Sequence, residues 1–95
     1  MKIKLKTGFC ELRECELTLD RQALHLTGEG CGIHIPLEQI TRFTMTVSGP
    51  GPQHFQLEAG DVLYQGRFLR REDGTWLTRQ LSQQDSHCVQ LIFDP

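Results

Sequence analysis

The sequence predicts a mainly β chain: about seven short antiparallel strands in a partly open barrel or sandwich, capped by one helix close to the C-terminus. Three observations carry this expectation. Apolar and polar residues alternate at period two along most of the chain, the signature of half-buried strands. Turn signals interrupt the alternation at Gly28-Glu29-Gly30, at Ser48-Gly49-Pro50-Gly51-Pro52 and at Gly60-Asp61. A single stretch, about 73–84, switches to apolar spacings of three and four.

The elements follow in order. Ile3 and Leu5 alternate with Lys2, Lys4 and Lys6, giving one inward face and one lysine-bearing face. Cys10 and Leu12 share a parity that Cys15, Leu17 and Leu19 do not, so a turn or bulge is expected near Arg13-Glu14. After the polar break Asp20-Arg21-Gln22, Leu24 and Leu26 begin a strand that turns at Glu29-Gly30 and returns through Cys31, Ile33 and Ile35. That register sets Leu26 against Ile33, Leu24 against Ile35, and His25 against His34 on the other face.

Pro36 ends this hairpin, and Leu37 and Ile40 anchor a short connector. Phe43, Met45 and Val47 follow at period two, with Arg42, Thr44 and Thr46 outward. Beyond the exposed Gly/Pro loop come Phe55, Leu57 and Ala59, then a strand through Tyr64, Gly66 and Phe68. In the helix, Asp73 is the expected cap, and Trp76, Leu77, Gln80 and Leu81 form the inward side, with Trp76 as a buried plug. Thr78, Arg79 and Ser82 face solvent in this reading, and a last strand is expected at about 88–93.

Ninety-five residues, with no repeat and no linker, fit one domain over 1–95. Ten Lys+Arg against twelve Asp+Glu give a net charge of −2, which argues against a dedicated nucleic-acid or anionic-membrane binder. The lysine-alternating N-terminus holds no apolar run that reads as an export signal, so a cytoplasmic location is expected. In that compartment Cys10, Cys15, Cys31 and Cys88 stay reduced, and their spacings match no common zinc module.

The run Leu24-His25-Leu26 … Ile35-Pro36-Leu37-Glu38-Gln39-Ile40-Thr41-Arg42-Phe43, with the later helix Gly74-Thr75-Trp76-Leu77-Thr78-Arg79-Gln80-Leu81, resembles bacterial pleckstrin-homology-like and GRAM-like domains. The resemblance covers roughly 15–84. It implies two nearly orthogonal antiparallel sheets with a helix plugging one end, and a strand at 88–93 departs from it. Phosphoinositide binders of that family carry a basic cluster around the first hairpin loop. Here the stretch holds Glu11, Glu14, Glu16 and Asp20 against Arg13 and Arg21, the wrong charge for a lipid headgroup.

No nucleophile elbow, HExxH pair, phosphate loop or EF-hand is present, so neither an enzyme nor a cofactor is expected. Three clusters remain. His25 and His34, with Glu16 as a third ligand, are candidates for a metal, against the plainer reading of two solvated histidines. Arg67, Arg70, Arg71 and Arg79 gather near the helix as an anion patch, tempered by Glu72 and Asp73. Cys88, Val89, Leu91 and Phe93 belong to a strand apolar on both parities, which needs a neighbour on each face or edge. The expected function is a non-catalytic module for protein interaction or self-assembly, acting through a sheet edge or the open barrel end. The alternative is ligand binding, or recruitment to a membrane surface, at a weak anion site.

Overall fold

A computed structural model describes residues 1–7, 11–48, 53–84 and 88–94, with the side chains at 31, 48, 93 and 94 outside that description. Among the described residues, eight strands and one α-helix follow the expected order. β1 (Lys2–Lys6), β2 (Leu12–Leu19), β3 (Ala23–Gly28) and β4 (Cys31–Pro36) come first. A 3-10 turn (Leu37–Gln39) leads into β5 (Ile40–Ser48), β6 (His54–Ala59) and β7 (Val62–Phe68). Then come α1 (Arg71–Gln84) and β8 (Val89–Asp94).

The strands form one sheet in the order β4-β3-β2-β1-β7-β6-β5-β8, open between β4 and β8. The first seven pair antiparallel, and β8 joins β5 in parallel. The fold is therefore mainly β, an unclosed, mostly antiparallel sheet with one helix toward the C-terminus. Its single core holds Ile3, Leu17, Leu24, Leu26, Phe43, Phe55 and Phe68 from the sheet, with Leu77 and Leu81 from α1.

The two sharp hairpins are set by glycines. Gly28 pairs with Cys31, leaving Glu29 and Gly30 as the connection, and Gly30 has φ +73°, open to a residue without a β-carbon. Ala59 pairs with Val62 across Gly60-Asp61, with Gly60 at φ +61°. The register set by the first turn matches the expected pairs: Leu24 with Ile35, His25 with His34 and Leu26 with Ile33.

Four expectations are corrected. The β1–β2 ladder runs without a shift from Lys6↔Leu12 to Lys2↔Glu16, so no bulge interrupts β2 near Arg13-Glu14. Leu12 instead faces outward and is exposed; Cys10 lies outside the described residues, as does the loop 49–52. Second, α1 begins at Arg71, so Asp73 is not its cap but lies in the first turn beside Glu72, where negative charge suits the helix dipole.

Third, Trp76 is 40% exposed and does not plug the core. The inward side of α1 is Gly74, Leu77, Thr78 and Leu81, a spacing of three and four that turns Trp76 to the rim. Thr78 is thus buried where solvent exposure was expected; its hydroxyl donates to the Gly74 carbonyl at 2.8 Å and contacts Met45 Sδ at 3.4 Å. Finally, Thr44 has outward parity yet is buried. It stands in register between Gln56 of β6 and Gln90 of β8, whose longer side chains flank it.

Candidate functional site

β8 is an edge strand with β5 on one side and no strand on the other among the described residues. Its register places Val89 and Leu91 beside Phe43 and Met45 on the core side, and Gln90 and Ile92 beside Thr44 and Thr46 on the outer side. Val89 is half-buried, whereas Leu91 and Ile92 are 45% and 43% exposed. A strand apolar on both faces is ordinarily covered on both. Of the residues expected to form an interaction strand, Val89, Leu91 and Phe93 lie in β8, and Cys88 is half-buried just before it. The Phe93 side chain lies outside the described residues.

Beside this edge, α1 and β8 border an open groove lined by Met45, Val47, Gln53, Thr75, Thr78 and Leu91, with Arg71 and Arg79 on the helix side. Beside the groove, Gly74 lets α1 sit close to the sheet: a β-carbon there would stand 2.9 Å from the Phe68 ring and 3.1 Å from Met45 Sδ. Gln53 is 4% exposed, and its Oε1 has no hydrogen-bond partner among the described residues. A buried acceptor left so costs about 1–3 kcal/mol, which makes Gln53 a polar point within apolar walls.

The expected arginine patch divides. Arg71 and Arg79 border the groove, and Arg70 pairs with Glu72 at 3.4 Å in solvent. Arg67 belongs elsewhere: it stands across from Lys4 and His54 on the outer face and lines an open cleft with Lys6, His54, Gln56 and Gln65. The β1–β7 and β6–β7 registers that set Arg67 between Lys4 and His54 were not legible from spacing alone.

The histidine pair forms as expected. His25 Nδ1 and His34 Nδ1 are 3.2 Å apart, with ring centroids at 4.8 Å and planes tilted by 57°. Glu16 does not join them. It stands opposite Thr27, and its carboxylate meets the Met1 amino group at 2.9 Å. Asp20 takes the neighbouring place instead, with Oδ2 2.9 Å from His25 Nε2. Its other oxygen accepts the N–H groups of Gln22 and Ala23, both at 2.7 Å, fixing the β2–β3 turn. The hydrogen bond from His25 and then these two N–H groups hold the Asp20 carboxyl at about 2, below its ordinary 3.8. No cluster of three or more metal-ligating side chains converges among the described residues.

Comparison with known proteins finds no matching family model, no matching curated protein and no matching solved structure. Among the described residues no helix is long and apolar enough to cross a membrane.

Proposed function

We propose that this chain is a non-catalytic protein-interaction module that takes an extended segment of a partner protein along β8. The observation that carries this reading is the open edge of β8, where Leu91 and Ile92 are half-exposed on opposite faces and Leu91 continues into the α1 groove. An added strand satisfies the edge backbone by hydrogen bonds, and alternate side chains then reach each face.

The groove describes the occupant. An apolar side chain fits between Met45, Val47 and Leu91, and carboxylates suit the arginine rim. Arg71 and Arg79 are eight residues apart on α1, about 12 Å along its axis, which an extended strand spans in about four residues. The fitting segment therefore has acidic residues about four apart around an apolar centre. Self-assembly is the weaker version, because pairing β8 with β8 of a second copy brings two arginine rims together. The helix-capped, mostly antiparallel sheet supports the pleckstrin-homology-like reading, and a cytoplasmic setting is part of the same proposal.

Fluorescence polarisation with labelled peptides of this pattern tests the idea. Acid-flanked peptides should bind, and lysine-flanked ones should bind at least about tenfold more weakly, a difference of about 1.4 kcal/mol. Leu91→Lys should abolish binding while leaving the fold intact by circular dichroism. Equal affinity for both peptide sets, or full binding by Leu91→Lys, would sink the reading.

A second reading rests on the cleft that His54 lines with Lys6 and Arg67, whose two cationic side chains suit a phosphate or carboxylate. Co-sedimentation with anionic vesicles at low and high salt tests the membrane version. Salt-sensitive binding lost in Arg67→Ala supports it, and absence of binding removes it.

A further inference from the structure

The His25–His34 pair lies away from the β8 groove, on the hairpin at the opposite edge of the sheet. Three features of it point to one chemistry. The first is the Nδ1–Nδ1 separation of 3.2 Å. Two imidazole nitrogens bound at about 2.05 Å to one ion stand about 3.3 Å apart in tetrahedral geometry and about 2.9 Å apart at a right angle. The observed span falls between those values.

The second feature is Asp20. Its ionised carboxylate can only accept, so the His25 Nε2 facing it at 2.9 Å carries the proton. In the neutral ring this leaves a lone pair on Nδ1, the atom facing His34. A carboxylate behind a ligating histidine is the arrangement that fixes tautomer and ring orientation in metal sites. Third, the pair is open to water: His25 is partly exposed, and His34 is exposed beside a broad depression lined by Arg21, Gln22 and Glu38. Water can therefore complete a coordination sphere to which the protein gives two nitrogens.

We propose that His25 and His34 bind one borderline first-row divalent ion, such as Zn²⁺, through their Nδ1 atoms, with Asp20 as the residue that holds His25 in the ligating tautomer. Imidazole pairs suit Zn²⁺, Ni²⁺ and Cu²⁺ rather than Mg²⁺ or Ca²⁺, which prefer oxygen. The competing occupant of the 3.2 Å gap is a proton donated from His34 Nδ1 to His25 Nδ1. The ion takes the place of this proton, which His34 then carries on Nε2, the other tautomer of the neutral ring.

The test is titration of the full chain with Zn²⁺ alone, followed by calorimetry and by ¹⁵N resonances of the histidine rings. The expected result is saturable 1:1 binding that shifts Nδ1 of both His25 and His34. His34→Ala and His25→Gln should each weaken it at least about tenfold. Asp20→Asn should weaken it by about 10- to 100-fold, the usual scale for such outer partners. Undiminished binding in both His25→Gln and His34→Ala overturns the proposal, since the ion then sits elsewhere, for example on thiols. A His–His proton that persists at saturating Zn²⁺ overturns it as well.

Discussion

Gln53 lies against the Cα of Gly74, with its Oε1 in the space where the β-carbon of any other residue would stand. The main chain of Gln53 is itself held, because its carbonyl accepts the Phe68 N–H at 3.0 Å. The β6 approach and the first turn of α1 are thus locked together at one side of the groove.

Gly74→Ala follows directly from this contact. On an isolated helix alanine would gain about 1 kcal/mol over glycine. Here the added carbon must displace Gln53 Oε1 and also meets Phe68 at 2.9 Å, and overpacking of this kind typically costs about 1–3 kcal/mol. A net loss of about 1 kcal/mol is expected in urea unfolding, together with a perturbed groove. Stabilisation by Gly74→Ala would show that α1 is not packed as described.

Gly66→Ala should be worse. A β-carbon at this position meets the Lys4 carbonyl oxygen and stands 2.9 Å from two atoms of the Phe55 ring. Main chain on one side and a buried ring on the other leave little room to yield. Loss of about 2–3 kcal/mol is expected, and a change smaller than that of Gly74→Ala would contradict this packing.

The helix face is tested by comparing Trp76→Ala with Leu77→Ala. Leu77 is 0% exposed and should lose about 2–5 kcal/mol, whereas Trp76, at the rim, should lose about 1 kcal/mol or less. Acrylamide should quench the Trp76 fluorescence readily in the native protein. A larger loss at Trp76 than at Leu77 would restore the tryptophan plug.

This inversion shows what the sequence made legible and what it did not. Period-two alternation and two glycine turns were enough to place the strands and to set His25 against His34, because a one-residue slip would move a whole apolar face into water. Residue type misled at Trp76, where size suggested burial and the glycine at 74 decided the rotation instead. Leu12 misled similarly, since one apolar residue at an outward position imitates a register shift. Side-chain partners were less legible: nothing in the spacing set Asp20 behind His25, because that contact arises from a turn whose carboxylate is fixed by two N–H groups.

Asp20 also predicts a pH dependence. Its folded-state value of about 2 is below the ordinary 3.8, so its contribution to stability is fully present above about pH 4. That contribution is lost as pH falls through about 2, since the unfolded chain takes up the proton first. Carboxyl NMR should find Asp20 ionised at pH 3, and Asp20→Asn should flatten this part of the acid-unfolding profile. An Asp20 midpoint near 3.8 would contradict the turn geometry.

The most direct test of the interaction proposal is amide hydrogen exchange across the chain, with and without an acid-flanked extended peptide. Slowed exchange is expected over 89–94 and around Thr75 and Arg79, with β4 unchanged. Protection confined to β4, or unaltered exchange throughout β8 at saturating peptide, would contradict a binding edge at β8.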